Sequence, residues 1–144
     1  MNHKPMLNAY PDSLGGNLGD IVTLLKTEAM QDVFSSFYIL PSLYHSDLDR
    51  GFSVIDYDLN EQLANREDLD QLKNMGIDLK LDFILNHASA QSPQFQDLVE
   101  KGEASAYRDF FIDWNRFWEG HGTMTEEGYI QPEESCLKQM FFRK

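Results

Sequence analysis

Asp82, Asn86 and His87 stand together in the run Asp82-Phe83-Ile84-Leu85-Asn86-His87, a carboxylate, a carboxamide and an imidazole within one short stretch. All three are hydrogen-bonding groups that are costly to bury unless each finds a partner. From Ile77 to Leu85 every odd position is apolar, while 78, 80, 82 and 86 are polar. Side chains that alternate in this way project to opposite faces of a β-strand. The odd side is expected to lie against a helix layer. Asp82, Ile84 and Asn86 take the other side, and His87 follows where the strand gives out. That other face is either solvated or the lining of a polar interior that uses these groups. A second set, Tyr44, His45, Asp47, Asp49, Phe52, Asp56 and Tyr57, lies between Pro41 and about Glu61. The stretch shows little periodicity, is too aromatic for disorder, and reads as a long site loop.

The elements that must hold these residues follow from pattern. Met6 to Tyr10 reads as a first strand, stopped by Pro11-Asp12-Ser13 and Gly15-Gly16. Asn17 is placed to cap a helix whose buried face is Leu18, Ile21, Val22, Leu25 and Ala29, with Asp20 complementing the dipole. Phe34 to Leu40 is a second strand ended by Pro41. Asn65 can cap a second helix with Leu69 and Leu72 inside, and Gly76 stops it. The order β-α-β-loop-α-β implies parallel strands joined by right-handed crossovers. Segments leaving strands are long or polar, and those entering them are terse. Ligands of parallel α/β folds lie at the carboxyl ends of the strands, so Asp12, Asp49, Phe52, Asn86 and His87 are expected on one rim.

Beyond Ser92, a short helix is predicted over Gln94 to Glu100, ended by Gly102. Ala106 to Trp118 carries Tyr107, Phe110, Phe111, Trp114, Phe117 and Trp118 at helical spacing, an aromatic stripe expected to be core. Glu119 to Ser135 is turn-rich and acidic, expected at the surface. Cys136 to Phe142 begins a new apolar segment, and an unpaired hydrophobic end at Phe141-Phe142 is an unusual place for a domain to close.

The chain's 144 residues include 24 acidic and 12 basic ones, for a net charge of −12. With no basic cluster, nucleic acid and anionic membrane are poor partners. Met1 to Tyr10 lacks the apolar core of a signal peptide, and no run is long enough to span a bilayer. Cys136 is alone, which leaves no internal disulfide and no cysteine metal site. The expectation is a cytoplasmic protein.

Asp82-Phe83-Ile84-Leu85-Asn86-His87 fits D-x-x-x-N-H, and the chain here resembles the end of the third barrel strand in the α-amylase superfamily, glycoside hydrolase family 13. Gly51-Phe52-Ser53-Val54-Ile55-Asp56-Tyr57 resembles that family's G-(F/Y)-x-x-x-D-(Y/H) segment after the second strand. The sucrose phosphorylase branch is the nearest likeness: Asp49-Arg50-Gly51-Phe52 stands for its D-x-G-F loop and Gln94-Phe95-Gln96-Asp97 for its Q-F-Q-D helix. The resemblance runs from about Pro5 to Asp113. It implies the first three β/α units of a (β/α)8 TIM barrel over residues 1–90, with the barrel incomplete. Residues 91–144 would be the start of the inserted domain B, helical and truncated.

The resemblance also implies an activity. Family members transfer an α-glucosyl group with retention, using an Asp after the fourth strand as nucleophile, a Glu after the fifth as acid and base, and an Asp after the seventh to grip hydroxyls. In phosphorylases inorganic phosphate is co-substrate and glucose 1-phosphate the product. Asp49, Phe52 and His87 are then expected to bind the sugar, accepting hydroxyls, facing its C–H surface and donating a hydrogen bond that strengthens toward the oxocarbenium ion. Asp82, Asn86, Asp56 and Tyr57 would support the site. No catalytic residue, metal or cofactor is expected in this stretch. Tyr57 and Arg50 depart from the branch, where a His and a small residue stand, which leaves the acceptor sugar open. A barrel of this type takes about 250 residues, so the expectation is an N-terminal portion from a truncated or split gene, inactive alone, whose partner would be the missing C-terminal part. An amylase-type hydrolase and a non-catalytic sugar-binding remnant are the alternatives.

Overall fold

A computed structural model describes residues 4–140, which form two compact units divided between Gln96 and Asp97. The hydrophobic end at Phe141-Phe142 lies outside the described residues.

In the first unit the apolar periodicities become a three-stranded parallel sheet with two crossover helices. Strand β1 (Met6–Ala9) leads through α1 (Leu18–Leu25) to β2 (Ser36–Ile39), and α2 (Arg66–Asn74) leads to β5 (Asp78–Leu81). The sheet order is β1-β2-β5, all parallel, with Leu7, Phe37 and Leu79 in one register row and Ala9, Ile39 and Leu81 in the next. Leu18, Ile21, Val22 and Leu25 of α1 and Leu72 of α2 join Phe37 and Ile39 in a single core. Both helices therefore cover the same face of the sheet. The opposite face presents Tyr38 and Lys80, with the Lys80 ammonium 4.0 Å from the Tyr38 ring centroid.

Each helix starts where its cap residue stands. The Asn17 carboxamide oxygen accepts from the Asp20 N–H at 3.3 Å, and the Asp20 carboxylate reaches back to the Gly16 N–H at 2.6 Å. Asn65 and Asp68 form a reciprocal capping box with bonds of 3.0 and 3.1 Å, which accounts for the burial of Asp68 on the helix's inner side. Gly76 closes α2 with φ 73°, a conformation that favours glycine. Ala29 is not on the buried face of α1 as expected. The helix ends at Leu25 with Lys26 as its C-cap, and Ala29 lies exposed in the following turns.

Two further expectations for the first unit need correction. The stretch from Pro41 to Glu61 is a β-hairpin, not an irregular loop: β3 (Tyr44–Leu48) pairs antiparallel with β4 (Ser53–Leu59) across a 3-10 turn at Asp49–Gly51. Two register shifts interrupt the pairing and leave β3 half-buried along most of its length, which erased the alternation. The strand expected from Ile77 to Leu85 is also shorter. Its ladder stops at Leu81 because the partner β2 stops at Ile39, and Pro41 has no N–H to continue it. Leu79 and Leu81 share the helix side with Phe37 and Ile39 by register, whereas Phe83 lies beyond the strand and packs on Tyr57. Of these odd positions only Ile77 is buried, and exposure rises from 36% at Leu79 to 77% at Leu85.

The second unit begins within α3 (Pro93–Lys101), which Gly102 ends at φ 52°. The helix expected over 106–118 is confined to α4 (Trp114–Phe117). Ser105 Oγ takes the Tyr107 N–H at 3.0 Å, turning the chain, and Asp113 caps a fresh start by accepting from the Arg116 N–H at 3.0 Å. The aromatic stripe is accordingly not a core. Trp118 is buried, whereas Phe110, Trp114 and Phe117 are exposed. The acidic segment after it holds a small antiparallel pair, β6 (Gly122–Met124) and β7 (Ile130–Pro132). Trp114 Nε1–H donates to the Ile130 carbonyl at 2.8 Å and Asn115 Oδ1 accepts from the Ile130 N–H at 2.9 Å, docking β7 on α4. The unit closes on α5 (Glu134–Met140).

Burial sets the stability ranking. Leu72→Ala is expected to lower the unfolding free energy of the first unit by about 2–5 kcal/mol, and Asn65→Ala by about 1 kcal/mol. Leu85→Ser, at a 77% exposed position, is expected to stay within about 0.5 kcal/mol. Urea titration of the three variants checks the order.

Candidate functional site

The rim where β1, β2 and β5 end is built around the turn Asp49-Arg50-Gly51. Asp49 (φ 55°) and Arg50 (φ 47°) are left-handed without being glycine, a conformation costing about 1–2 kcal/mol per residue. Gly51 (φ 96°) is obligatory twice over, because a Cβ there would lie 2.2 Å from the Ser42 nitrogen. The glycine lets the turn press on Pro41-Ser42, directly beyond β2. The Phe52 N–H closes the turn onto the Asp49 carbonyl at 3.2 Å.

Phe52 and His87, 35 residues apart, meet here: His87 Nε2 lies 2.8 Å from the Phe52 carbonyl oxygen and must donate to it. His87 Nδ1 lies 3.0 Å from the Asn86 carboxamide. The Phe52 ring remains partly exposed. Asp49, Phe52 and His87 are thus linked through backbone carbonyls, and Asn86 buttresses the imidazole. Asp12 joins the same rim through Arg50, whose Nη2 donates to the Asp12 carboxylate at 2.6 Å.

The remaining expected residues fall around this centre with other partners. Asp82 accepts from the Tyr38 hydroxyl at 2.6 Å, and that bond pushes the Tyr38 pKa up, with burial adding to it. The Asp56 carboxylate takes His45 Nδ1–H at 2.8 Å and the Asp58 N–H at 2.9 Å, so it fixes β4 against β3. The Tyr57 hydroxyl donates to the Ile84 carbonyl, and its ring meets Tyr44 edge-on at 5.2 Å and Phe83 at 4.6 Å. Burial raises the Tyr57 pKa. Asp56 therefore ties the two hairpin strands together, and Tyr57 holds the hairpin on the segment that follows β5.

Two contacts had no signal in the sequence. The Asp47 carboxylate accepts from Ser89 Oγ at 2.8 Å, and hydrogen bonds from Ser53 and Ser89 hold its pKa below the usual carboxylate range. The Arg50 guanidinium also lies 4.1 Å from the Tyr10 ring centroid. Beside the turn is a groove of about 230 Å³ bordered by Asp12, Ser42, Asp47, Asp49 and Arg50. Three carboxylates against one guanidinium favour a guest that donates hydrogen bonds, such as a polyol, over an anion. Among the described residues no group of three His, Cys, Asp or Glu is arranged to hold a metal ion.

The α-amylase catalytic-domain model matches residues 9–142. The chain belongs to that family. It is 54% identical over 142 residues to sucrose 6(F)-phosphate phosphorylase from Ilumatobacter coccineus, covering 99% of this chain and 27% of that protein. It is 40% identical over 118 residues to sucrose phosphorylase from Streptococcus mutans, covering 81% of this chain and 24% of the relative. Among solved structures, sucrose 6F-phosphate phosphorylase from Thermoanaerobacter thermosaccharolyticum superposes with a TM-score of 0.79 at 33% identity, covering the whole of this chain and 27% of that one. The chain spans about a quarter of the length of the curated relatives it matches.

The turn makes two expectations concrete. Gly51→Ala is expected to displace the turn and break the His87–Phe52 bond, visible as large shifts of the residue 49–52 amides and the His87 ring in NMR spectra. Ser89→Ala is expected to raise the Asp47 pKa toward the ordinary value, read by carboxyl 13C titration. The sign for stability follows: a pKa lowered by folding gives stability that is complete above the unfolded carboxylate range and lost as pH falls through the folded value. Ser89→Ala should shrink that acid-side loss.

Proposed function

We propose that this chain supplies the first three β/α units of a (β/α)8 barrel and part of the glucosyl-binding subsite of a retaining sucrose phosphorylase-like enzyme. The observation that carries the reading is the convergence of Asp49, Phe52 and His87 on one rim beyond the strand ends, in a chain 54% identical to a sucrose 6(F)-phosphate phosphorylase.

In this reading a glucosyl ring sits over Phe52, its C–H face on the exposed part of the aromatic ring. Asp49, with neighbouring carboxylates setting a negative field, accepts from sugar hydroxyls. With its Nε2–H given to the Phe52 carbonyl, the neutral His87 ring has Nδ1 left to accept from a sugar hydroxyl rather than donate to one. That bond strengthens as positive charge at the anomeric carbon makes the hydroxyl a better donor. The imidazole already holds the Phe52 carbonyl through Nε2, so the sugar would replace the Asn86 contact at Nδ1. Asn86 then supports the ring in the empty site and yields to substrate. Asp82, Asp56 and Tyr57 brace the strand end and the hairpin.

No residue of this stretch is assigned as nucleophile or as acid and base. The covalent steps belong to carboxylates supplied from other strands of the barrel, with inorganic phosphate taking the glucosyl group and no organic cofactor or metal involved. The glucosyl donor is sucrose or sucrose phosphorylated on its fructosyl unit, and the setting is the cytoplasm. Residues 91–144 begin domain B.

The test uses the full-length enzyme containing this sequence. Incubation with sucrose or sucrose 6F-phosphate and inorganic phosphate is expected to release glucose 1-phosphate. Release of free glucose alone would make it a hydrolase. His87→Gln is expected to lower kcat/KM by about 100-fold, and Asp49→Asn by a comparable factor, with the fold intact by circular dichroism.

A further inference from the structure

We infer that Arg50 is a positioning residue that clamps the 49–52 turn to the loop after β1 and thereby aligns His87 through the Phe52 carbonyl. The inference rests on the sugar-site reading above, to which it adds how the site is held in register.

Asp49 and Arg50 both occupy the left-handed region without being glycine, so the turn persists only where its surroundings fix it. Gly51 fixes one side by backbone contact with Pro41-Ser42. Arg50 fixes the other. Its Nη2 donates to Asp12 Oδ1 at 2.6 Å, and its guanidinium stacks 4.1 Å from the centre of the Tyr10 ring. The anchor is itself rigid: the Tyr10 N–H donates to Ser13 Oγ at 3.1 Å, the Ser13 N–H returns to the Tyr10 carbonyl at 3.1 Å, and Pro11 between them is fully buried. A planar guanidinium can lie flat on an aromatic face while its edge pairs with a carboxylate.

The clamp passes to the imidazole in two links. The Phe52 N–H is bonded to the Asp49 carbonyl at 3.2 Å, and the Phe52 carbonyl receives His87 Nε2–H at 2.8 Å. A turn that loosens at Arg50 moves that carbonyl, and the imidazole loses the acceptor that fixes its tautomer. Arg50 is not itself a contact for a phosphorylated sugar. Its charge is committed to Asp12, and Asp47 and Asp49 border the same groove.

The experiment follows the 15N-histidine-labelled full-length enzyme containing this sequence, with His87 assigned through His87→Gln. In the unsubstituted protein the neutral His87 ring should be held as the Nε2–H tautomer. Arg50→Ala and Asp12→Asn should each mix the tautomers, while the slow amide exchange of Phe37 and Ile39 stays unchanged. Arg50→Lys should fall between, since it keeps the pairing and loses the stacking. Glucose affinity, read from the same signals, should weaken about tenfold in Arg50→Ala. An unaltered His87 tautomer in Arg50→Ala and Asp12→Asn overturns the inference, and so does a parallel loss of protection at Phe37 and Ile39, which would make Arg50 a general stability residue. Failure of the unsubstituted full-length enzyme to bind glucose, with the tautomer still answering to Arg50, defeats the sugar-site reading and leaves the clamp. Equal glucose affinity in both proteins defeats the clamp's role and leaves the sugar site.

Discussion

One-sided burial governs this structure. α1 and α2 each carry a single apolar face, and both must cover it against the same side of β1, β2 and β5. A parallel sheet wound in sequence with all its helices on one side has its other side free for polar groups, the arrangement from which a barrel closes. Tyr38, Lys80 and Asp82 therefore share a face that is chemically unlike the core behind it, though Tyr38 sits between buried Phe37 and Ile39. The same winding sends the carboxyl ends of β1, β2 and β5 to one rim. Residues as far apart as Asp12 and His87 then meet the same 49–52 turn without any direct pairing between their strands.

At that rim, backbone carries more of the geometry than side chains do. The Phe52 carbonyl orients His87, the Asp49 carbonyl closes the turn, and the missing Cβ of Gly51 lets the turn seat on Ser42. Two non-glycine residues with positive φ mark a segment whose local preference has been overruled by its surroundings. The side chains left free by this backbone frame are Asp49 and the exposed part of Phe52, which are the groups a sugar would meet.

How much of this the sequence disclosed depended on whether the signal was local. Asn17, Asn65 and Gly76 announce their helix ends because capping acts within a few residues. The parallel order and the rim followed from helix–strand alternation, and D-x-x-x-N-H with D-x-G-F pointed to the family the chain belongs to. The hairpin at 44–59 did not show, because its bulges break period two and its aromatics looked like site chemistry. The stripe from Tyr107 to Trp118 misled in the opposite sense. Its spacing is helical, but Ser105 and Asp113 bond to the local backbone and divide the segment, so four of its residues form a helix. Contacts such as Asp47 with Ser89 and Arg50 with Tyr10 are 42 and 40 positions apart, beyond any local pattern.

The exposed row Leu79, Leu81, Phe83 and Leu85 bears on how molecules of this chain treat one another in solution. Among the described residues β5 is an outer strand, so its backbone offers hydrogen bonds to any extended segment that arrives beside it. What holds such arrivals off is mutual repulsion between chains of net charge −12. That repulsion reaches only about 8 Å at physiological ionic strength and shortens as electrolyte is added. Colloidal behaviour is therefore set by a contest between a short-ranged sticky row and a screened cloud of carboxylates. Added salt, rather than heat or denaturant, is the variable that tips the contest toward association.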